Sequence, residues 1–311
     1  MVSALSAFKI FGLVFAASTV ALTGDLGLHD PSMCKRDDGT YFLFSTGAGI
    51  ETRTSTNRED WQFVGRVFPD GASWTDAYTG TSNGGIWAPD CNIIDGVFYL
   101  YYSASTMGSM HSAIFLATSP TGEPGSWTDK GLVTSTAKGD DHNAIDPNLI
   151  IDGDSWYLSF GSYWTGIKGA PVDPKTGNIT TTSYDALAER NGTATAIEGS
   201  VIWKEGDYYY LFTSWDACCE DLKSTYNIRV GRSKTVDGGY VDKNGVPLSS
   251  GGGTLVLGAQ GSIIGPGGQE LISDDDGTIL IYHYYSKSGH SIGNLGLARL
   301  DFSSGWPVVI S

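Results

Sequence analysis

The sequence predicts an all-β protein, a five-bladed β-propeller that forms a single domain. A short strand rich in aromatic residues follows a turn-rich segment five times along the chain. Each copy contains a turn glycine, and these are Gly39, Gly96, Gly153, Gly206 and Gly277. One hairpin in every roughly fifty to seventy residues is typical of a propeller, in which each repeat is a sheet that cannot bury its faces alone.

The five copies are expected to form the blades in chain order. Each pairs a first segment with an aromatic strand: 29–33 with 41–44, 87–91 with 98–101, 145–149 with 156–158, 197–201 with 208–211, and a degenerate copy, 265–269 with 279–282. Aromatic and β-branched side chains favour a half-buried pleated surface. The 42 glycines fit many short strands joined by tight turns, and no segment has the composition of a linker.

The N-terminus is predicted to be a signal peptide, residues 1–23, followed by the propeller domain, residues 24–311. Lys9 precedes an apolar run, residues 10–17, and small residues follow it. The run is too short to span a bilayer. We therefore expect a secreted protein, the alternative being an N-terminal strand or helix of the mature fold. The sequons at Asn178 and Asn191 are compatible with a glycoprotein of a eukaryotic secretory route.

The charge of the chain excludes several classes of partner. The formal net charge is −15 and the isoelectric point is near 4.5. Nucleic acids and anionic membranes require basic patches, so neither is an expected partner. A closed propeller leaves only short, protected strand edges, and we expect a monomer.

The four cysteines permit three pairings in an exported protein. Cys34 and Cys91 occupy matching places on neighbouring blades. The sequence is compatible with a disulfide between them and equally with two buried free thiols. Cys218 and Cys219 are adjacent, and a disulfide between them would be strained.

Three carboxylates are predicted to meet at one mouth of the central channel. Aligning the copies places Asp30, Asp146 and Glu198 at one position, on blades one, three and four. Asp146 and Glu198 lie on neighbouring blades, and a like charge raises a carboxyl pKa, which would keep Glu198 protonated. Asp30 is separated by an intervening blade, which leaves room for water, as in inverting glycosidases with carboxyl groups roughly 6.5–9.5 Å apart. The alternative is that each Asp-Pro pair only opens a turn.

The chain resembles glycoside hydrolase family 43, and within it the endo-1,5-α-L-arabinanases. The resemblance rests on segments that run in order through the chain: 29–32, 86–90, 101–103, 105–109, 143–148, 160–167, 196–198, 218–219, 224–233 and 282–285. It implies that Asp30 is the general base, Glu198 the general acid and Asp146 a modulator of the acid. The chain departs from the family pattern in two places. The segment before His29 is short, so the resemblance does not predict how the propeller closes. The residues after the acid are Gly199-Ser200-Val201.

The resemblance also implies a set of substrate contacts. Besides Asp30, these are Asn143, Ala144, Ile145, Asp146, Ser162, Tyr163 and Trp164, with Gly108 in a loop at the rim. Trp87 is a further aromatic candidate, with core packing as its alternative. Arg229 is predicted either to point into the channel and hold Asp146 or Glu198, or to be a surface arginine.

His283 is the predicted metal contact. A single histidine among aromatic residues is usually a satisfied core residue. The resemblance implies a cation, Ca²⁺, in the channel, with His283 as its main protein contact and water completing the shell. Calcium normally prefers several oxygen ligands, so a site with one imidazole is unusual. No organic cofactor is expected.

The leading hypothesis is a secreted, inverting endo-arabinanase that cleaves α-1,5-arabinan, a neutral side chain of pectin. An exo-acting α-L-arabinofuranosidase or β-xylosidase of the same family is the alternative within the same chemistry. A non-catalytic carbohydrate-binding propeller is the alternative of another class. The three carboxylates argue against it, because a lectin needs no matched acid and base.

Overall fold

The computed structural model describes residues 21–82, 85–191 and 195–310. Its strands form five sheets, and the prediction of a five-bladed propeller is confirmed. Within these ranges the one α-helix is α1 (Asp76–Thr79), and no helix is long and apolar enough to cross a membrane.

The blades follow one another in chain order. Each runs from an innermost to an outermost strand, except that the first strand of the chain pairs at the outer edge of blade one. Blade one contains β1 (Thr23–Gly24), β2 (Ser32–Lys35), β3 (Tyr41–Ser45), β4 (Glu51–Ser55) and β5 (Asp60–Arg66). Blade two contains β6 (Gly85–Ile94), β7 (Val97–Ser105), β8 (Ser112–Ser119) and β9 (Thr128–Thr136). Blade three contains β10 (Asn148–Asp152), β11 (Ser155–Phe160), β12 (Ile167–Asp173), β13 (Asn178–Ile179) and β14 (Asp185–Ala188).

The last two blades have four strands each. Blade four contains β15 (Ile197–Glu205), β16 (Tyr208–Trp215), β17 (Asn227–Ser233) and β18 (Thr254–Leu257). Blade five contains β19 (Ile264–Asp274), β20 (Gly277–Tyr285), β21 (Asn294–Asp301) and β22 (Val308–Ile310). The innermost strands β2, β6, β10, β15 and β19 contact one another in that order around the channel, and β19 closes the ring on β2.

Four of the predicted turn glycines lie between the innermost and second strands of their blades, and Gly277 is the first residue of the second strand of blade five. Each has a positive φ, from 56° at Gly206 to 116° at Gly277. A residue without a Cβ adopts this conformation at no steric cost, which is why a glycine recurs there.

The hydrophobic core is divided among the five interfaces between blades. At the first interface Phe42 of blade one packs edge-on against Phe98 of blade two, with ring centroids 5.1 Å apart, and both side chains are fully buried. A disulfide between Cys34 and Cys91 joins the innermost strands of the same two blades, with a Cα–Cα distance of 5.9 Å. Each sheet therefore buries its faces against its neighbours, as the repeat architecture requires.

The propeller closes through the segment that precedes β2. The Leu28 N–H donates to the Gly293 carbonyl at 3.2 Å, and the Leu295 N–H donates to the Leu26 carbonyl at 2.9 Å. On the same interface Lys35 lies 2.6 Å from the Asp274 carboxylate. The short N-terminal segment is thus sufficient to join blades one and five.

The predicted signal peptide lies mainly outside the described residues, which begin at residue 21. Thr23, the last residue of the predicted leader, is paired with Asp60 as the first residue of β1. Leu22 packs against the core between blades five and one.

Candidate active site

A cleft of about 1020 Å³ opens at one mouth of the channel. All five blades contribute to its wall, for example through Glu51, Met107, Trp164, Cys219 and Ile292. The predicted carboxylates Asp30, Asp146 and Glu198 all line it. We call these three residues the upper carboxylate cluster.

The register of the innermost strands places Glu198 one residue earlier than the sequence alignment does. In four blades, the residue two positions after the aligned position (Asp30, Ala88, Asp146 and Gly268) pairs with the second strand. The pairs are Ser32 with Phe44, Asp90 with Tyr101, Asn148 with Ser159 and Glu270 with Ile281. In blade four Val201 takes this place and pairs with Phe212. Gly199, not Glu198, is therefore equivalent to Asp30 and Asp146.

Backbone conformation supports the same register. The equivalent residues all have positive φ: Asp30 (46°), Ala88 (43°), Asp146 (57°), Gly199 (56°) and Gly268 (54°). The ladder of blade four is interrupted between Glu198 and Val201, and Gly199 takes the left-handed position there. Glu198 thus occupies the place of His29 in blade one, and it reaches the cleft from one step higher on its strand.

The left-handed residues are held by side chains of the preceding blade. In four of the five interfaces a residue at the end of the second strand accepts the backbone N–H of the next blade's left-handed residue. The pairs are Thr46 with Ala88 (2.9 Å), Ser103 with Asp146 (3.0 Å), Ser214 with Gly268 (3.0 Å) and His283 with Asp30 (3.2 Å). His283 is therefore the blade-five counterpart of three hydroxyl residues.

The interface between blades three and four is the exception. The equivalent residue there is Gly161, whose φ is 131° and where a Cβ would lie 2.4 Å from the Gly166 carbonyl oxygen. A side chain is excluded at this position, and the Asp146 carboxylate accepts the Gly199 N–H instead, at 3.0 Å. Asp146 therefore holds the backbone next to Glu198.

The surroundings of Asp30 keep its carboxylate ionised. Burial acts to raise the pKa of Asp30, but His29, His283 and Thr46 together lower it well below the usual range. The His29 Nδ1 lies 2.9 Å from Oδ2, and the Thr46 hydroxyl donates to the same oxygen at 2.7 Å. An ionised carboxylate that is open to the cleft is in the protonation state that a general base requires.

The surroundings of Glu198 favour its protonated form. Burial raises the pKa of Glu198 above its usual value, and the charge of Asp30 adds to the rise. Two hydroxyls oppose it: Ser162 donates to Oε2 at 2.6 Å and Tyr226 donates to Oε1 at 2.8 Å. The two carboxyl groups thus have their pKa values moved in opposite directions, as a paired base and acid require.

Asp146 carries a raised pKa as well. Burial raises the pKa of Asp146, followed by the charges of Glu198 and Asp30, whereas the Gly199 N–H opposes the rise. The predicted electrostatic contact between Asp146 and Glu198 is therefore present.

Most of the predicted substrate contacts line the cleft, namely Trp87, Gly108, Asn143, Ile145, Ser162, Tyr163 and Trp164. Tyr163 and Trp164 have positive φ values of 55° and 38°, which are uncommon for bulky residues and cluster at functional sites. The buried Oδ1 atom of Asn143 has no hydrogen-bond partner among the described residues.

Two predicted contacts lie elsewhere, and these predictions are corrected. Ala144 is fully buried in the core between blades two and three. Arg229 lies on β17, the third strand of blade four, where its guanidinium stacks on Trp215 at 4.6 Å and donates to the Gly253 carbonyl at 3.0 Å. A third strand lies away from the channel, so Arg229 does not reach Asp146 or Glu198.

Sequence reasoning missed the hydroxyl groups that act on the carboxylates. Thr46 and Tyr226 donate to Asp30 and Glu198, respectively. For Thr46 a signal existed, because Thr46, Ser103 and Ser214 all follow the aromatic strand of their repeats. Tyr226 lies at the end of a loop between β16 and β17 and carries no repeat signal.

His283 is completely buried below Asp30, and burial lowers its pKa well below the usual value. The neutral ring accepts the Asp30 N–H on Nδ1, so its proton lies on Nε2. The buried Nε2 atom has no hydrogen-bond partner among the described residues. These features fit a water molecule, or a cation that keeps its water shell, next to Nε2. Direct ligation would need the proton on Nδ1, where the Asp30 Oδ1 lies 3.6 Å away.

Comparisons with known proteins agree with the geometry of the site. The sequence profile of Glycosyl hydrolases family 43 matches residues 23–307. The arabinan endo-1,5-alpha-L-arabinosidase A of Aspergillus niger is 43% identical over 304 residues, which cover 93% of this chain and 92% of that protein.

Solved structures show the same similarity. A GH43 endo-arabinanase from Bacillus licheniformis superposes with a TM-score of 0.87 at 38% identity, over 93% of this chain and 99% of that one. An exo-1,5-alpha-L-arabinanase from a bovine ruminal metagenomic library superposes with a TM-score of 0.86 at 36% identity, over 92% and 97%. The fold thus accommodates both endo- and exo-acting enzymes.

Proposed function

The chain belongs to glycosyl hydrolases family 43 and is a glycoside hydrolase, and from this we propose that it cleaves internal α-1,5-L-arabinofuranosidic bonds of arabinan with inversion of configuration. The observation that carries the proposal is the pair of Asp30 and Glu198 in one cleft, with pKa values moved in opposite directions.

In the proposed reaction Asp30 accepts a proton from the attacking water while Glu198 donates its proton to the departing glycosidic oxygen. Tyr226, whose pKa burial raises well above the usual value, stays protonated and stabilises the Glu198 carboxylate that forms. Asp146 holds Gly199, and in its ionised form its charge disfavours ionisation of the neighbouring Glu198. Each of these groups acts on a different part of one displacement.

The stereochemical course is tested by ¹H NMR of the first products from arabino-oligosaccharides. Inversion releases the β anomer of the new reducing end, which then mutarotates. Initial release of the α anomer indicates a double displacement, and it contradicts the roles assigned to Asp30 and Glu198.

Endo action is supported by the size of the cleft and by the name of the Aspergillus niger relative. At about 1020 Å³ it lies at the upper end of ligand pockets, roughly 300–1,000 Å³, and all five blades line it. Linear 1,5-α-L-arabinan is the test substrate, with product lengths followed by anion-exchange chromatography. Early products of mixed length are expected. Release of one product length from the first minutes indicates exo action, as in the ruminal relative.

We also propose that a Ca²⁺ lies in the channel, with His283 as its main protein contact and water completing its shell. The support is the buried Nε2 atom of His283, which no described side chain satisfies and which can ligate when the ring proton lies on Nδ1, 3.6 Å from the Asp30 Oδ1. A cation there supplies positive charge close to the Asp30 carboxylate. Elemental analysis of the purified protein, before and after dialysis against a chelator, tests this. One equivalent of calcium is expected, and a His283→Gln variant should lose it.

Secretion is proposed as well, with the arabinan side chains of pectin as the natural substrate. The signal-peptide pattern of the first 23 residues and two disulfides fit an oxidising compartment. N-terminal mass spectrometry of the protein from the culture medium is the test. Because β1 begins at Thr23, cleavage before Leu22 would keep the whole first blade.

A further inference from the structure

A second disulfide lies in the wall of the cleft and contacts the machinery around Asp30. Cys218 and Cys219, on the loop between β16 and β17, form a bond between adjacent residues. Both line the cleft, and Cys219 is exposed to it. The reaction proposed above assigns no role to this pair.

Both sulfur atoms face the same atom of blade one. The Nε2 of His29 lies 3.5 Å from the Cys218 Sγ and 3.7 Å from the Cys219 Sγ. The Tyr285 hydroxyl lies 3.1 Å from the same nitrogen. The loop therefore contacts His29 directly through two sulfurs.

His29 transmits this contact to Asp30. Its Nδ1 lies 2.9 Å from the Asp30 Oδ2, and its ring stacks on His283 at 3.7 Å. The imidazole is therefore held on one face and on both edges. Removing the sulfur contacts leaves the Tyr285 hydroxyl as the remaining contact on the edge opposite Asp30.

The bond is required for this arrangement because adjacent side chains normally point in different directions. The S–S bond keeps both sulfurs on one side of the loop. The loop itself is held at its base, where the Thr225 N–H donates to the Ala217 carbonyl at 2.9 Å. Its backbone adopts left-handed conformations at Asp216, Cys219 and Asp221.

We infer that the Cys218–Cys219 disulfide is a positioning element of the reaction, which orients Asp30 by fixing the imidazole of His29. The inference rests on the proposed function, because it concerns the same base. Reduction breaks the S–S bond with uptake of two electrons and two protons. The two thiols then rotate independently, and His29 loses the two sulfur contacts to its Nε2.

The structure provides a matched control. Cys34 and Cys91 are buried between blades one and two, with exposed fractions of 5% and 7%, whereas Cys219 is open to the cleft. A phosphine reductant, itself oxidised to the phosphine oxide with oxygen from water, should therefore reduce the cleft disulfide first. Mass spectrometry after alkylation identifies the reduced pair.

The experiment measures kcat and KM on arabino-oligosaccharides for the wild type, Cys218→Ser/Cys219→Ser and Cys34→Ser/Cys91→Ser, each with and without the phosphine. Reduction should lower kcat about 10- to 100-fold in the wild type and in Cys34→Ser/Cys91→Ser, a range typical of misplaced catalytic groups. KM should change less than about twofold, since uniform binding is retained. Cys218→Ser/Cys219→Ser should have the low kcat under both conditions, and re-oxidation should restore kcat only where the cysteines remain.

Three outcomes contradict the inference. The first is an unchanged kcat in a sample whose alkylation shows that the cleft disulfide is reduced. It would show that His29 does not need the sulfur contacts. A rise in KM at constant kcat would make the disulfide a substrate contact. An oxidised wild type that cleaves no arabino-oligosaccharide contradicts both the proposed function and the inference. This outcome can be told apart from the first two, because both of those require an oxidised enzyme that is active.

Discussion

The innermost strands carry two groups of carboxyl side chains, and their surroundings differ. The upper carboxylate cluster comes from blades one, three and four. Two positions further along the strands, blades two and five contribute Asp90 and Glu270, which we call the lower carboxyl pair. Both groups are largely removed from bulk water, yet only the upper one lines the large cleft.

Within the upper carboxylate cluster, the surroundings favour the ionised form of one carboxyl group and the neutral form of another. Thr46 and His29 stabilise the charge of Asp30, whereas burial favours the neutral form of Glu198. Each carboxyl group keeps access to the cleft, where a substrate and a water molecule can reach it.

In the lower carboxyl pair, the surroundings move the pKa values of the two groups in the same direction. Burial raises the pKa of both groups, that of Asp90 to about 6. Asp90 accepts hydrogen bonds from the Asn148 side chain at 2.9 Å, the Leu149 N–H at 3.0 Å and the Asn92 side chain at 2.9 Å. The Asp90 oxygens are therefore occupied by the protein, and this group joins blades two and three instead of offering a free proton acceptor. The comparison teaches that hydrogen-bond partners and access, not the presence of two buried carboxyl groups, distinguish a catalytic site.

The largest effect is expected from removing the upper acid or base. Asp30→Ala and Glu198→Ala should each lower kcat/KM on arabinan about 10²- to 10⁴-fold, because each removes a positioned proton-transfer group. An aryl arabinoside with a good leaving group should partly restore the rate of Glu198→Ala but not that of Asp30→Ala. Equal restoration of both variants would remove the distinction between acid and base, and circular dichroism should show an intact fold in both.

Asp146→Asn tests the like-charge contribution within the upper cluster. The amide retains an oxygen that accepts the Gly199 N–H, but it removes a group whose ionised form disfavours ionisation of Glu198. The pKa of Glu198 should fall, so the alkaline limb of the pH–rate profile should move to lower pH, with a rate loss of about 10- to 100-fold. A limb that stays in place while the rate falls would make Asp146 a substrate-positioning residue.

Tyr226→Phe should move the same limb in the opposite direction. The Tyr226 hydroxyl stabilises the ionised form of Glu198, so its loss raises the pKa of the acid. One hydrogen bond of about 1 kcal/mol corresponds to a shift of about 0.7 pH units. The pH–rate profile of kcat/KM measures this shift, and a move to lower pH would contradict the assigned hydrogen bond.

Glu270→Gln should alter stability rather than catalysis. A carboxyl group with a raised pKa stabilises the folded state below its unfolded pKa, near 4.5, and this contribution is lost as the pH rises through the folded pKa. The melting temperature of the wild type should therefore fall between pH 4.5 and pH 7. The variant should reduce this fall by about 2–4 °C, measured by differential scanning calorimetry. An identical pH dependence would show that Glu270 does not titrate in this range.

The repeat pattern was sufficient to predict the fold and the equivalent positions of Asp30 and Asp146, whereas it placed Glu198 one residue out of register. Turn glycines and aromatic strands are local signals that recur once in each blade, and the Asp-Pro pairs mark the left-handed position. The register of Glu198 was not predictable, because an alignment of short repeats does not detect an irregularity in a strand. Gly199 is informative only once the positive φ of its counterparts is known.

The partners of the carboxylates were harder to predict than the carboxylates themselves. Tyr226 reaches Glu198 from a loop, and the loop's position depends on contacts between three blades. Alternation suggested that Arg229 faces inward, but alternation does not identify which strand of a blade is innermost. Ala144 was included as part of a motif, and its small side chain is used for packing.

A matched pair of substitutions, one in each group, tests the central claim most directly. Initial rates on linear 1,5-α-L-arabinan are measured for Glu198→Gln and Glu270→Gln at the optimum pH of the wild type. Glu198→Gln should lose about 10²- to 10⁴-fold in kcat, the contribution typical of a general acid, whereas Glu270→Gln should stay within about twofold of the wild type. Similar losses in both folded variants, or a larger loss in Glu270→Gln, would contradict the assignment of the acid to the upper carboxylate cluster.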